Sequence, residues 1–518
     1  MDSLFGVAIS PAEGLDMAVV AANVGHDFLA QVRHGAEHSP ADAVAGDHSQ
    51  PDFDLVQPGG VGGREPARGL GALSAFPVKG GGRSVFLYNS KYFAYDNAQT
   101  HMFNAGGQAF MFIKRLIKWL AKSLAVLAIF AVVGLAVLLA LLWRDHKTKI
   151  TLPELTGHFA VGRTTYTWVN SAETDELAPS PGAKREVVVW IWYPAAATSA
   201  APVEYLPAAW RLALAQHSGV LMNQFLRRDL SLVRAHSTSD PDISSEQRSY
   251  PVVIMRAGGG ALTTDFTTLA EDLASHGYIV VGFDAPYRTF VVVLPGNRVI
   301  TRPSENDPEN LPGDQQGRLI NRLLPMWTGD TKFVVSQLQH LNATDPSGRF
   351  TGRLDMQRLG MFRHSFGGSQ ALQFCHDDLR CKAGIDMDGE PFGSVVQEGL
   401  KQPFMFILSD HSRDLSDPAS SQVLANFQSI YDRLPNGRLF ITIRGANHFS
   451  FSDQMLLTSH SVIRLMRILG FGGLDERRGL TITAEYVHTF FDVHLKDAPS
   501  TLLTSISKQY PEVQVQPR

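Results

Sequence analysis

The chain has 518 residues, of which 44% are hydrophobic and 19% charged, and its formal net charge is −4. That balance belongs to a globular protein and excludes a disordered or fibrous one. So weak a charge gives no footprint for nucleic acid, and neither a metal-ligand spacing nor H-E-x-x-H occurs, so no metal and no cofactor are expected.

Residues 1–110 stand apart. They are rich in Gly, Ala, His and Asp, with glycine pairs at 59–60 and 62–63 and a triplet at 80–82. No helical or strand period persists there, and the segment is expected to be mostly disordered or an over-extended start. Met111-Phe-Ile-Lys-Arg-Leu-Ile-Lys has the form of a natural start.

Residues 111–149 form a basic flank and an apolar run. The run, 123–143, contains no charged residue. As a helix it would span about 30 Å, one hydrocarbon core. A buried helix of a soluble protein rarely lacks polar residues for so long. Trp119 and Trp143 lie near its ends, where interfacial aromatics sit. Lys114, Arg115, Lys118 and Lys122 precede the run, while Arg144, Lys147 and Lys149 follow it. That slight bias places the N-terminus inside and residues 150–518 outside, in the periplasm or another extracytoplasmic space. The run is long for a signal peptide, and no A-x-A-like cleavage site follows.

Residues 150–518 read as one α/β domain. Strands are expected at 185–194, 250–255, 278–284, 359–364, 383–388, 403–408 and 439–443, with helices at 266–276 and 330–341. Strands alternating with helices imply a mostly parallel sheet covered on both faces. Its ligands then bind beyond the carboxyl ends of the strands. The long polar stretches 195–249 and 285–327 are expected to be lids or substrate walls. Cys375 and Cys381 fall between a helix and the next strand. Two readings stay open for them: free buried thiols, which we favour, and a disulfide, which an oxidising compartment would permit.

The chemistry concentrates in Leu359-Gly-Met-Phe-Arg-His-Ser365-Phe-Gly-Gly368. An apolar strand ends at a serine and a helix follows, the layout of a nucleophile elbow. A serine hydroxyl needs a base, and the base needs a carboxylate to fix its tautomer. His448 and Asp388 both follow expected strands, and the order Ser, Asp, His is that of α/β-hydrolases. Asp386, two residues earlier, is the weaker choice of acid. The amides of Phe366 and Gly259 are the expected oxyanion donors, Gly259 lying in Gly258-Gly-Gly260 after a strand. Arg363 stands where the G-x-S-x-G pattern has glycine. It must point away from the turn, and two readings stay open: it reaches a lid carboxylate or a phosphate headgroup, or it marks a weakened or inactive enzyme. His364 is expected to pack and His276 to be an ordinary helix-end histidine. Three acids at 386, 388 and 390 are better read as one orienting acid with solvated neighbours than as a cation site.

On these residues the chain resembles the plasma-type platelet-activating factor acetylhydrolase family of the α/β-hydrolase superfamily. The likeness runs over about 157–496. It is carried by Gly157-His-Phe-Ala-Val-Gly162, Trp192-Tyr-Pro194, Asp272-Leu-Ala-Ser-His-Gly-Tyr-Ile-Val280, His364-Ser-Phe-Gly-Gly368, Gly384-Ile-Asp-Met-Asp388 and Asn447-His448-Phe. The resemblance implies Ser365 as nucleophile, Asp388 as acid, His448 as base, and Gly259 and Phe366 as oxyanion donors. It also implies metal independence and a preference for phospholipids with a short or oxidised sn-2 acyl chain. The departures are Arg363 for the elbow glycine and Ala257-Gly258 for the family's His-Gly. The expected protein is therefore a membrane-anchored serine ester hydrolase. The alternatives are a general carboxylesterase or polyester hydrolase, and a catalytically silent binding protein of the same fold.

Overall fold

A computed structural model describes residues 90–518 apart from 312, 411–417, 436, 470–472 and 517–518. The expectation of disorder over 1–89 lies outside the described residues. Residues 90–110 differ from it, because helix α1 runs from Ser90 to His146. No proline interrupts the chain between Pro77 and Pro153, and once a helix is nucleated each added residue costs little. Within α1, Phe110–His146 has a mean hydropathy of 3.1 in its most apolar window and is long and apolar enough to cross a membrane.

Residues 138–518 belong to one compact unit. Its twelve-stranded sheet has eight principal strands. They are β1 (Ala160–Thr174), β2 (Lys184–Ala195), β3 (Tyr250–Arg256), β4 (Ile279–Asp284), β5 (Leu354–His364), β6 (Cys381–Met387), β7 (Phe404–Ser409) and β8 (Leu439–Ile443). Their order across the sheet is β1-β2-β4-β3-β5-β6-β7-β8. β2 runs antiparallel to β1 and β4, whereas β4 through β8 are parallel. The run Val187–Tyr193 is buried on both faces and splits by alternation: Trp190 and Trp192 enter one core, Val189 and Ile191 the other. Helices α2 (Thr267–Ser275) and α7 (Glu476–Leu495) cover the first face. Helices α3 (Gly313–Ala343), α4 (Phe366–Asp377) and α5 (Pro418–Arg433) cover the second. A short amphipathic helix, α6 (His460–Ile468), precedes α7.

The two long stretches are structured. Residues 195–249 send Val233–Ser239 to the sheet edge. Residues 285–327 form the hairpin Val291–Leu294/Arg298–Thr301 and the first half of α3, which continues through Pro325. The cysteines form a disulfide between the end of α4 and the start of β6, Cα atoms 5.1 Å apart. This corrects the preference for free thiols. A tight turn, closed by the Cys381 amide on the Asp378 carbonyl at 3.0 Å, doubles the chain back and brings the two sulfurs together.

Arg363 answers its own question differently from the expectation. It reaches neither a lid carboxylate nor solvent. It is fully buried, donating to Gln370 Oε1 at 2.6 Å and Thr331 Oγ1 at 2.5 Å. Burial pulls its guanidinium well below the usual arginine range. Beside it, Arg185, Arg256 and Arg288 gather around Asp330 of α3, at 2.6, 3.9 and 3.2 Å, and Arg288 also forks onto Asp175. Arg256 lies over the Trp327 ring at 3.6 Å, and burial pulls its guanidinium down to about 9. The cluster carries more cations than carboxylates, so Asp330 holds it together. Asp330→Asn is expected to destabilise the fold by about 3–5 kcal/mol, the cost of leaving buried charge uncompensated. Guanidinium unfolding in detergent measures this; an unmoved midpoint would show that the cluster is relaxed by other means.

Candidate active site

Ser365 sits between β5 and α4 with φ 57° and ψ −138°. A non-glycine residue there is strained by about 1–3 kcal/mol, and the strain is held by backbone bonds. The Ser365 amide donates to the Met387 carbonyl at 3.0 Å, and the Gly368 amide to the Ser365 carbonyl at 2.7 Å. Gly367 packs tightly against its neighbours: a Cβ on it would lie 3.1 Å from the Arg256 carbonyl oxygen and 3.2 Å from the Arg363 Cβ.

Asp388 follows β6, also at positive φ (54°). Its carboxylate accepts the Ser409 amide at 2.8 Å and the Ser409 hydroxyl at 2.9 Å. His448 follows β8 on a short turn capped by Asn447, whose Oδ1 accepts the Phe449 amide at 3.0 Å. His448 Nδ1 lies 2.8 Å from Asp388 Oδ2. The carboxylate is an acceptor, so Nδ1 carries the proton and Nε2 keeps its lone pair. Asp386 takes no part in this pair. It is fully buried beneath the elbow and accepts the Gly389 amide at 3.0 Å, and burial pushes its carboxyl well above the usual carboxylate range.

His364 does more than pack. Its Nε2 lies 2.7 Å from the His448 carbonyl oxygen, and the two imidazoles are 4.4 Å apart. Burial, reinforced by the His448 ring, pushes His364 down to about 3. The neutral ring therefore donates from Nε2 and ties the strand before Ser365 to the backbone of the histidine turn. Nothing in the sequence flagged this clamp, since a histidine beside a serine has no distinguishing period.

The glycine loop after β3 closes the other side. A Cβ on Gly258 would fall 2.5 Å from both the His364 carbonyl oxygen and the Ser365 Cβ, and 3.2 Å from Ser365 Oγ. The loop thus lies directly against the serine, with Gly259 next at φ 42°. Arg302, from the 285–327 stretch, fixes it by donating to the Gly259 carbonyl at 2.8 Å and pairing with Asp307. The Phe290 amide holds the Gly260 carbonyl at 2.9 Å. Phe366 opens α4 and meets Trp327 edge-to-face at 5.1 Å, part of an apolar wall with Leu319 and Leu323. Ser365, Asp388, His448 and the glycine loop all follow the carboxyl ends of their strands, at one edge of the sheet.

Comparison with known proteins agrees with the fold. A ferulic acid esterase from Streptomyces cinnamoneus shares the fold, with a TM-score of 0.59 and 24% identity over 71% of this chain and all of its own. A protein of Arthroderma benhamiae described as a probable 1-alkyl-2-acetylglycerophosphocholine esterase is 26% identical over 52% of this chain and 67% of its own length. The platelet-activating factor acetylhydrolases of Bos taurus and Cavia porcellus are 25% and 24% identical, over 48% and 43% of this chain and 57% and 52% of theirs. The chain thus spans between half and two thirds of the curated relatives it matches. The family described as platelet-activating factor acetylhydrolase, isoform II, matches residues 145–286 and 319–500, well over half of the sequence, and the chain belongs to that family.

Proposed function

We propose that this protein is a membrane-anchored serine ester hydrolase that removes short or oxidised acyl groups from the sn-2 position of phospholipids through an acyl-enzyme. The observation that carries the reading is the Asp388–His448 pair at 2.8 Å beside a serine held in a strained elbow. Ser365 Oγ attacks the ester carbonyl while His448 Nε2 takes its proton and Asp388 stabilises the imidazolium. The amides of Phe366 and Gly259 receive the oxyanion. His448 returns the proton to the departing lysophospholipid oxygen. Water, deprotonated by the same ring, then releases the acid. Phe366, partly exposed at the elbow and backed by the buried Trp327, supplies apolar surface for the acyl chain.

Anchoring rests on α1. Its last residues are built into the catalytic unit and do not trail from it. Asp145 accepts from the Ser461 amide at 2.6 Å and the Ser459 hydroxyl at 3.0 Å, capping α6, and His146 Nδ1 bonds the Arg227 carbonyl at 2.8 Å. The disulfide agrees with an extracytoplasmic catalytic unit.

The test is a substrate series for the full-length chain in detergent: acetyl-phosphatidylcholine ethers, long-chain phosphatidylcholine and simple aryl acetates. Hydrolysis of the acetyl phospholipid well ahead of the long-chain one is expected. Preference for aryl esters with no phospholipid turnover would make the protein a general carboxylesterase instead. A fluorophosphonate probe that fails to label Ser365 would leave only a binding role. Gly258→Ala gives a second check. Its methyl would push the loop off the serine, and loss of one oxyanion donor lowers kcat by about 10²–10³-fold. A wild-type rate would detach the loop from the reaction.

A further inference from the structure

On the first face of the sheet, α2 and α7 bring together three side chains that the reaction does not use. Asp272 and His276 stand one helical turn apart at the end of α2, and His488 lies in the middle of α7. Asp272 and His488 are buried, and His276 is partly exposed. We propose that Asp272, His276 and His488 form a binding site for a divalent ion of the zinc type, a two-histidine, one-carboxylate set that staples α2 to α7.

One carboxylate oxygen and two ring nitrogens, one from each residue, lie within 4.8 Å of one another. Ligands bound to zinc at about 2.0–2.2 Å approach to about 3.3 Å, so small side-chain rotations close the triangle. The imidazoles are stacked 3.9 Å apart with a tilt of 17°. Their present contacts are hydrogen bonds that an ion can replace. His488 Nδ1 meets one Asp272 oxygen at 2.8 Å. Thr156 Oγ1 donates to the other at 2.6 Å, and must therefore accept from His276 Nε2 at 2.8 Å. Each neutral ring carries one proton, which moves to its other nitrogen when the ion binds, so the exchange balances without an acid or base.

The surroundings suit a cation. The three residues line a cavity of about 290 Å³, whose walls include Glu154 and Glu485. That space admits the water that completes a tetrahedron. Lys496, which donates to the His276 carbonyl at 2.6 Å, is engaged by Asp492 at 3.0 Å. Thr156, holding Asp272 from outside, orients the carboxylate as outer-shell partners do.

The experiment uses the full-length chain in detergent, stripped with a chelator and titrated with ZnCl₂ by calorimetry. Co²⁺ absorption in the visible range serves as an independent readout. One ion per chain is expected, with a rise in Tm and a tetrahedral cobalt spectrum. His276→Ala should weaken zinc binding at least about tenfold while circular dichroism stays that of the wild type, because the Asp272–His488 pair remains. His488→Gln should do the same and provides the second variant. A stripped chain that takes up no zinc and shows no Tm shift would overturn the site. So would stoichiometric binding that survives both substitutions.

Discussion

Ser365→Ala is expected to lower ester hydrolysis by about 10⁶-fold, the loss seen when a nucleophile of this kind is removed, and to leave the fold intact. The turn is held by the backbone of residue 365, through its amide on Met387 and its carbonyl on the Gly368 amide. Alanine keeps both bonds and the same positive φ, so the strain is neither released nor increased. The glycine loop also stays in place, since its contact with position 365 is to Cβ. A residual rate above that of water is expected from the amide donors and binding alone. The measurement is kcat for acetyl ester hydrolysis by wild type and variant, prepared in parallel and compared by circular dichroism and Tm. Equal rates would remove Ser365 from the chemistry and with it the ester hydrolase reading.

Much of this arrangement was legible in the sequence, and each part that was not has its own physical cause. The buried strands announced themselves because runs such as Val252–Met255 and Ile279–Phe283 are apolar on both faces and short. β1 was missed because it lies toward the edge and much of its second part is exposed: Thr165, Val169, and residues 171–174 face solvent, so no apolar run marks it. The extent of α3 was missed because Pro325 argues against a helix locally, yet tertiary packing of Leu323, Leu324 and Trp327 carries it through. Arg363 was misjudged for a deeper reason. A charge next to a nucleophile reads as solvent-facing or ligand-facing unless its partners are known. Its partners are Gln370, seven residues on, and Thr331, thirty-two residues back. Asp330, which offsets the surrounding arginines, comes from the same insertion helix. Neither periodicity nor motif encodes a cluster assembled from segments as far apart as Asp175, Arg256, Arg288, Asp330 and Arg363. The order Ser365, Asp388, His448 was readable because each follows a strand of one parallel sheet, and such a sheet gathers its strand ends at one edge.

Asp388→Asn separates the two buried acids below that edge. The Ser409 amide is a fixed donor at 2.8 Å from Asp388 Oδ1, so an asparagine must keep its carbonyl on that side and turn its NH₂ toward His448. His448 Nδ1 must then accept, its proton moves to Nε2, and the ring can no longer take a proton from Ser365. The expected result is a fall in kcat of about 10⁴-fold with KM and Tm little changed, since the substituted side chain keeps its shape and its Ser409 bond. Asp386→Asn should behave oppositely. Burial disfavours the charged form of Asp386, pushing its carboxyl well above the usual carboxylate range, and its one oxygen that accepts the Gly389 amide is retained by asparagine. Its kcat should stay within a few-fold of wild type. The pair of kcat values decides the matter by their order. If Asp386→Asn is the crippled variant and Asp388→Asn turns over normally, the carboxylate that serves His448 is not the one 2.8 Å from it, and the proton path proposed for this site is wrong.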